Sequence, residues 1–408
     1  TEIYTLSLHD ALPISARFHN GKYEASLAPL VDALKQTGLR RIRGGLVGDA
    51  TYFNGPPFGA GWTWDDLQHY YGAEVSALTH EDNVVDLFFL PGAKLGSSCD
   101  LETRPRTSYL TFVNRTATAS ADSTRSLQLH LTPGGNVAHV TGHLPLGTTN
   151  WIDAAPVRNA PLWFVSQLQN QLQQHQIRVR HTPRTVDWLT PPAERPHYGQ
   201  LVEIASVESP PLSVLIQHMM KSSQNLYAQS LFLQVGQHRR SPPNPAPAPT
   251  QTTEQAALAE LTAFLAEAGI PDGSVILDEG SGLSRRALVT PNAIVALLKY
   301  MDRHPNADLF RASLPIAGVD GTLSQRMNQT AAHGRVQAKT GTLAHVFTLS
   351  GYVTTMAGER LVFSLMLNNH SPSSNASARS DLDHLAILLA SLQEHTRPTS
   401  ADPDTAQE

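Results

Sequence analysis

Residues 338–343 read AKTGTL: a lysine, a hydroxyl, a glycine and a second hydroxyl, entered from the strand-like run RVQA. Lys339 can draw in a negative charge, and Thr340 and Thr342, two residues apart, put hydroxyls on one face of a strand. Glycine weakens a strand and often marks close approach of a ligand or another backbone, so Gly341 leaves room along this one. A strand edge with free N–H groups also pairs with an extended peptide. These residue types leave room for a substrate lying along the strand. The competing reading is a lysine that guards a sheet edge against unwanted pairing.

A Lys-Thr-Gly strand works in acyl transfer with two partner motifs, Ser-x-x-Lys and Ser-Asp-Asn or its variants. Ser-x-Asn occurs at Ser223-Gln224-Asn225 and at Ser373-Ser374-Asn375. The first lies between two helical runs, where a short rigid loop can aim both side chains into one cleft; the second lies in the serine-rich stretch SPSSNAS. Position therefore favours Ser223 and Asn225. Ser-x-x-Lys occurs nowhere in the chain, and neither does Gly-x-Ser-x-Gly or His-Glu-x-x-His. His139 and His143 fall on one solvated strand face and do not read as metal ligands. DEGSGLSR (278–285), despite Ser281 and Ser284, reads as a glycine-rich turn supporting a cleft, and Trp62 and Trp64 as packing within a loop.

Several elements must position these groups. Residues 26–38 place Leu27, Leu30, Val31 and Leu34 at helical spacing and stop at Gly38. Residues 83–145 are β-rich, and 126–144 predict a hairpin with Leu127, Leu129 and Leu131 on one face and TPGGN as the turn. Helical patterns follow over 160–176, 211–236, 254–269, 290–304 and 377–394, with a proline-rich segment at 239–250. FTLSGYVTT and RLVFSLML, joined by MAGE, predict a hairpin flanking the Lys-Thr-Gly strand. The C-terminal half thus predicts an antiparallel sheet covered by helices, and residues 396–408 a disordered tail.

Residues 5–14, TLSLHDALPI, resemble the translation of a widely used sequencing adapter, so residues 1–15 read as an assembly artefact. On that reading the missing leader says nothing about export. A net charge of −5 gives no broad basic field for nucleic acid. Cys99 is the single cysteine, which excludes an intramolecular disulfide and a thiolate zinc cluster. No apolar run approaches the ~18 residues that would span a bilayer.

The segments MMKSSQNLYAQSL, LDEGSGLSRRALVTP, LFRASLPIAGVDGTLSQRM and QAKTGTLAHVFTLSGYV carry a family resemblance, joined upstream by LKQTGLRRIRGGLVGDATYF and GWTWDDL. Over about residues 18–393 the chain resembles the D-Ala-D-Ala carboxypeptidase/endopeptidases, the low-molecular-mass class C penicillin-binding proteins. The resemblance implies an α+β fold: a transpeptidase/β-lactamase-like domain, its antiparallel sheet covered by helices, with inserted β-rich domains. It assigns residues 16–208 to the inserts (β-rich part about 83–145) and 209–395 to a catalytic domain lacking its N-terminal part. It implies a serine-type hydrolase of the periplasm or cell envelope that acts on peptidoglycan stem peptides through an acyl-enzyme and is inhibited by β-lactam antibiotics. No metal or cofactor is implied.

The family's nucleophile, the Ser-x-x-Lys serine, would sit upstream of residue 16, so the 408-residue chain is expected to be an inactive fragment. Ser223 would pass a proton to the leaving amine, and Asn225 would hydrogen-bond the substrate backbone or the catalytic lysine. Lys339 would supply positive potential, and the Thr340 and Thr342 hydroxyls would hold the substrate carboxylate alongside Gly341. The Thr342 N–H would form half of an oxyanion hole. Two other readings stand beside this one: a non-catalytic peptidoglycan-binding relative, and a β-lactamase or esterase on the same fold.

Overall fold

The computed structural model describes residues 3–8, 12–19, 21–240, 251–371 and 375–396. Most of the proline-rich segment and the C-terminal tail from 397 lie outside the described residues. The chain divides into two compact units. The first comprises Thr1–Leu212, Asn225–Leu261 and Leu277–Ala287; the second comprises Ser213–Gln224, Thr262–Ile276 and Leu288–Glu408.

In the first unit, α1 (Ala28–Gln36) has a proline in its opening turn, where a missing N–H costs nothing. Its buried Leu30, Val31 and Leu34 share a core with Phe164, Val165 and Leu168 of α2 (Ala160–Gln174). Small parallel pairs surround them. β1 (Ile3–Leu8) pairs with β12 (Leu201–Val207), β2 (Arg41–Ile42) with β10 (Arg178–Val179), and β3 (Val47–Asp49) with β11 (Arg184–Val186). The stretch that resembles an adapter translation therefore contains a strand, and Leu12 and Ile14 after it are buried.

Two three-stranded sheets form a second core in this unit. One is ordered β5 (Asp100–Arg104), β4 (Val84–Leu90), β9 (Trp151–Pro156); the other β6 (Thr111–Ala119), β8 (Val137–Pro145), β7 (Ser126–Leu131). β7 and β8 are the hairpin read from the alternating leucines, antiparallel from Ser126↔His143 to Leu131↔Ala138. β6 adds to the far side of β8 in parallel, a pairing that no turn signal announces. α4 (Asn225–Arg240) also belongs to this unit, and α5 (Thr253–Glu267) is divided at Leu261.

The second unit is built on an antiparallel sheet, β15 (Val336–Leu343), β16 (Val346–Thr354) and β17 (Arg360–Asn368), with a small ladder of β13 (Val275–Ile276) and β14 (Leu288–Val289). Period-two alternation gives the sheet two buried faces. Val336, Ala338, Leu349, Val353 and Phe363 pack against Leu382, Ala386 and Ala390 of α8 (Asn375–Ala390). On the opposite face Tyr352 packs with Leu298 and Ile294 of α6 (Pro291–Arg303), Phe310 of α7 (Ala307–Ser313) and Met220 of α3 (Leu212–Ser222). Thr290 caps α6, accepting from the Ala293 N–H at 3.2 Å, with Pro291 in the first turn. The predicted sheet with covering helices is the architecture observed.

Candidate active site

The register of β15 decides where its side chains go. Gln337, Lys339 and Gly341 face Tyr352, Ser350 and Thr348 across the ladder, so they share the face on which α3 packs. Thr340 and Thr342 stand opposite Leu349 and Phe347, on the α8 face. Lys339 therefore points toward the end of α3, where its Nζ donates to Ser223 Oγ at 2.7 Å and to the Thr340 carbonyl at 2.9 Å. Burial pulls the Lys339 ammonium down from the ordinary lysine range to about 8.

Ser223 is positioned by the way α3 stops. The Gln224 N–H reaches back five residues to the Met219 carbonyl at 3.0 Å, and Ser223 itself has φ +60°. This is the left-handed helix terminus usually given to glycine. A serine there costs roughly 1 kcal/mol against glycine. In exchange, its hydroxyl meets the lysine.

Residues 314–322, LPIAGVDGT, lock these two parts together. Lys221, two residues before Ser223, donates to the Leu314 carbonyl at 2.6 Å and to both carboxylate oxygens of Asp320 at 2.9 and 2.7 Å. Asp320 also accepts from the Ile316 N–H at 2.8 Å. On the other side the same segment is tied to β15. The Ala338 N–H donates to the Pro315 carbonyl at 2.9 Å, and the Thr322 and Thr340 hydroxyls lie 2.9 Å apart. Gly321, at φ +56°, lets the segment pass under α3, since a Cβ there would sit 2.6 Å from the Lys221 carbonyl. Sequence reasoning passed over Lys221, Asp320 and Thr322; the Asp-Gly turn signal in VDGT was their one local mark.

Gly341 has a cross-strand reason besides room for a ligand. A Cβ at 341 would collide with Thr348 Oγ1 on β16. Thr342 is exposed and open to the outside of the strand.

Asn225 is grouped with the first unit, two residues past Ser223 and at the first position of α4. Its amide donates to the Ser281 carbonyl at 3.0 Å. Ser281 lies in the glycine-rich turn, which is organised by a buried carboxylate. Glu279 accepts from the N–H groups of Ser281 at 2.5 Å, Gly282 at 2.9 Å and Ser284 at 3.2 Å, and from the Trp62 indole at 3.3 Å. Ser284 Oγ donates to Asp278 at 3.1 Å. Both serines are thus engaged in holding the turn. Among the described residues no group of histidine, cysteine, aspartate and glutamate could hold a metal, and no helix is long and apolar enough to cross a membrane.

The structure brings Lys339 of the Lys-Thr-Gly strand and Ser223 of the Ser-x-Asn motif within hydrogen-bond distance of each other. The model of the D-Ala-D-Ala carboxypeptidase 3 (S13) family matches residues 19–389, and the chain belongs to that family. It is 32% identical over 382 residues to a D-alanyl-D-alanine carboxypeptidase of Actinomadura sp. (strain R39), covering 90% of this chain and 66% of that one. It is 29% identical over 348 residues to the D-alanyl-D-alanine carboxypeptidase DacB of Haemophilus influenzae, covering 85% of this chain and 69% of that one. The chain therefore spans about two thirds of the length of these relatives. The fold is similar to the crystal structure of penicillin binding protein 4 (dacB) from Haemophilus influenzae, with a TM-score of 0.71 and 24% identity over 95% of this chain and 82% of that one. The same protein has a structure complexed with a β-lactam, which matches with a TM-score of 0.66 and 22% identity.

Proposed function

We propose that this chain carries the substrate-binding and proton-transfer part of a serine-type D-alanyl-D-alanine carboxypeptidase/endopeptidase of the periplasm or cell envelope. Its substrates are peptidoglycan stem peptides and its inhibitors are β-lactams. The observation that carries the reading is the 2.7 Å hydrogen bond between Lys339 and Ser223, two residues singled out by separate motifs 116 positions apart. Membership of the S13 family supports the same substrate class.

The chemistry follows from these groups. A serine alkoxide attacks the carbonyl of the D-Ala-D-Ala bond, and the leaving D-alanine amine must gain a proton. Ser223, held by the Lys339 ammonium, relays that proton. Lys339 also supplies the positive potential that draws in the terminal carboxylate and Gly341 keeps the strand open, while the Thr340 and Thr342 hydroxyls, which the ladder sets on the other face of β15, bind that carboxylate where it reaches over the strand edge. The Thr342 N–H stabilises the oxyanion, and Asn225 holds the substrate backbone or the catalytic lysine. The sequence contains no Ser-x-x-Lys, so the nucleophile is assigned to coding sequence upstream of residue 16. Residues 16–208 then serve as inserted domains and 209–395 as the larger part of the catalytic domain.

The test is release of D-alanine from a stem pentapeptide by the protein extended with its upstream coding sequence. We expect turnover, and a loss of about 10²–10³-fold in the Lys339→Ala variant, the size of effect seen when a transition-state donor is removed. No turnover by the extended protein, or full turnover by Lys339→Ala, would overturn the reading.

A further inference from the structure

The ladder splits the candidate site between two faces of β15. Lys339 lies on the face that packs against α3, and the Thr340 and Thr342 hydroxyls lie on the α8 face. A carboxylate that reaches over the strand edge to those hydroxyls leaves the ammonium behind it. Hydroxyls are neutral, and an anion taken from water is held well only where a cation pairs with it.

Arg379 of α8 is a cation on that face. α8 runs alongside β16 in the same direction: its Ala378 and Leu382 share a core with Phe347 and Leu349, and at its far end the Ala390 carbonyl accepts from the Met356 N–H at 2.9 Å. The opening turns of α8 therefore lie over the start of β16, which is paired with the end of β15 that carries Thr340 and Thr342. The Arg379 guanidinium carbon lies 5.3 Å from the centre of the Phe347 ring. Phe347 is in turn the ladder partner of Thr342. Directly opposed residues on one sheet face have Cβ atoms about 5 Å apart, so a group bound at Thr342 is within reach of this arginine.

The neighbouring charges leave the arginine available. Asp383, one turn further along α8, is taken by Arg326, whose Nε and Nη2 donate to its Oδ1 at 3.1 and 2.6 Å. Asp381, two residues on, points to a different side of the helix. Among the described residues Arg379 itself makes no ion pair. Arg379 and Thr342 are both exposed, and Phe347 between them is buried. The ring gives the guanidinium a flat support, and the planar fork of an arginine matches a carboxylate at two points.

We infer that Arg379 is a specificity-determining residue: it pairs with the terminal carboxylate of a D-Ala-D-Ala peptide lying against Thr342, and so selects peptides whose carboxylate is free. The inference rests on the D-alanyl-D-alanine reading and deepens it, naming the group that tells a free chain end from a blocked one.

The 408-residue chain contains no Ser-x-x-Lys, so it is expected to bind such a peptide without cleaving it, and affinity can be read at equilibrium. Fluorescein-labelled L-Lys-D-Ala-D-Ala, and the same peptide with a C-terminal amide, are each titrated with the chain while fluorescence polarisation is followed. We expect the acid to bind about tenfold or more tighter than the amide. Arg379→Gln, which keeps a long side chain over Phe347, and Arg379→Ala are each expected to weaken acid binding about tenfold and to leave amide binding unchanged, so that the two affinities converge. Absence of saturable binding of the acid, equal wild-type affinities, or a preference that survives in Arg379→Gln would each overturn the inference. An equal loss of both peptides in the variants, the mark of packing alone, would overturn it too. D-Alanine release by the extended protein reads the catalytic proposal separately. An acid preference lost in Arg379→Gln, without release, sinks that proposal alone; release with a preference unmoved by Arg379→Gln sinks this one alone.

Discussion

At the scale of single residues, the informative position is Ser223. Its left-handed backbone suits glycine, yet it carries a hydroxyl that meets an ammonium. Two variants separate the two facts. Ser223→Ala and Ser223→Gly both remove the hydroxyl, but only glycine relieves the backbone, so Ser223→Gly is expected to be more stable than Ser223→Ala by about 1 kcal/mol in urea unfolding. Equal stabilities would show that the φ of +60° carries no strain. Lys339 makes a second prediction. Its pKa is lowered by burial to about 8, so the charge that attracts an anionic substrate is present below that pH and lost above it. Acylation of the extended protein by an anionic penicillin is expected to slow as pH rises through about 8. A flat profile from about 7 to about 9 would remove Lys339 from anion capture. The lysine, the threonines and the glycine were legible because they crowd into one tetrapeptide of unusual composition for a strand. The face each would occupy was not, since that depends on the partner strand's register.

At the scale of elements, the β7–β8 hairpin and the sheet of β15, β16 and β17 could be read directly, because two-residue alternation and turn residues are local signals. The break between α3 and α4, expected at Ser223–Asn225 from the two helical runs on either side, has no breaker residue to mark it. Residues 211–236 contain no glycine before Gly236 and no proline after Pro211, so helical spacing runs through the point where the chain turns. The break is made by tertiary contacts: the segment carrying Asp320 ties down Lys221 and leaves Ser223 at the helix end. Neither residue marks that pairing in the sequence, 99 positions apart. Asp320→Ala is expected to lower unfolding free energy by about 2 kcal/mol, less than a fully buried pair because Asp320 is partly exposed. It should also slow acylation of the extended protein, since α3 then loses its tie to the segment beside β15. Loss of stability with undiminished acylation would show that the segment does not position Ser223.

At the scale of the whole molecule, stability and activity respond differently to pH. His80 is buried in the first unit, with Ser26 Oγ 3.3 Å from its Nδ1, and burial pulls its pKa from 6.5 down to about 3. The unfolded chain therefore binds a proton between those values that the folded chain does not. The stability held above pH 6.5 is expected to fall as pH drops toward 3, by up to ~1.4 kcal/mol per pH unit from this group. His80→Gln should flatten that slope in urea unfolding; an unchanged slope would assign acid sensitivity elsewhere.

The chain contains Lys-Thr-Gly and Ser-x-Asn, and its sequence contains no Ser-x-x-Lys. The most direct measurement is stoichiometric labelling by a fluorescent penicillin, followed by mass spectrometry of the intact protein. The 408-residue chain is expected to gain no covalent adduct, and the protein extended upstream to include Ser-x-x-Lys to gain one per molecule. An adduct on the 408-residue chain, or none on the extended protein, would contradict the account.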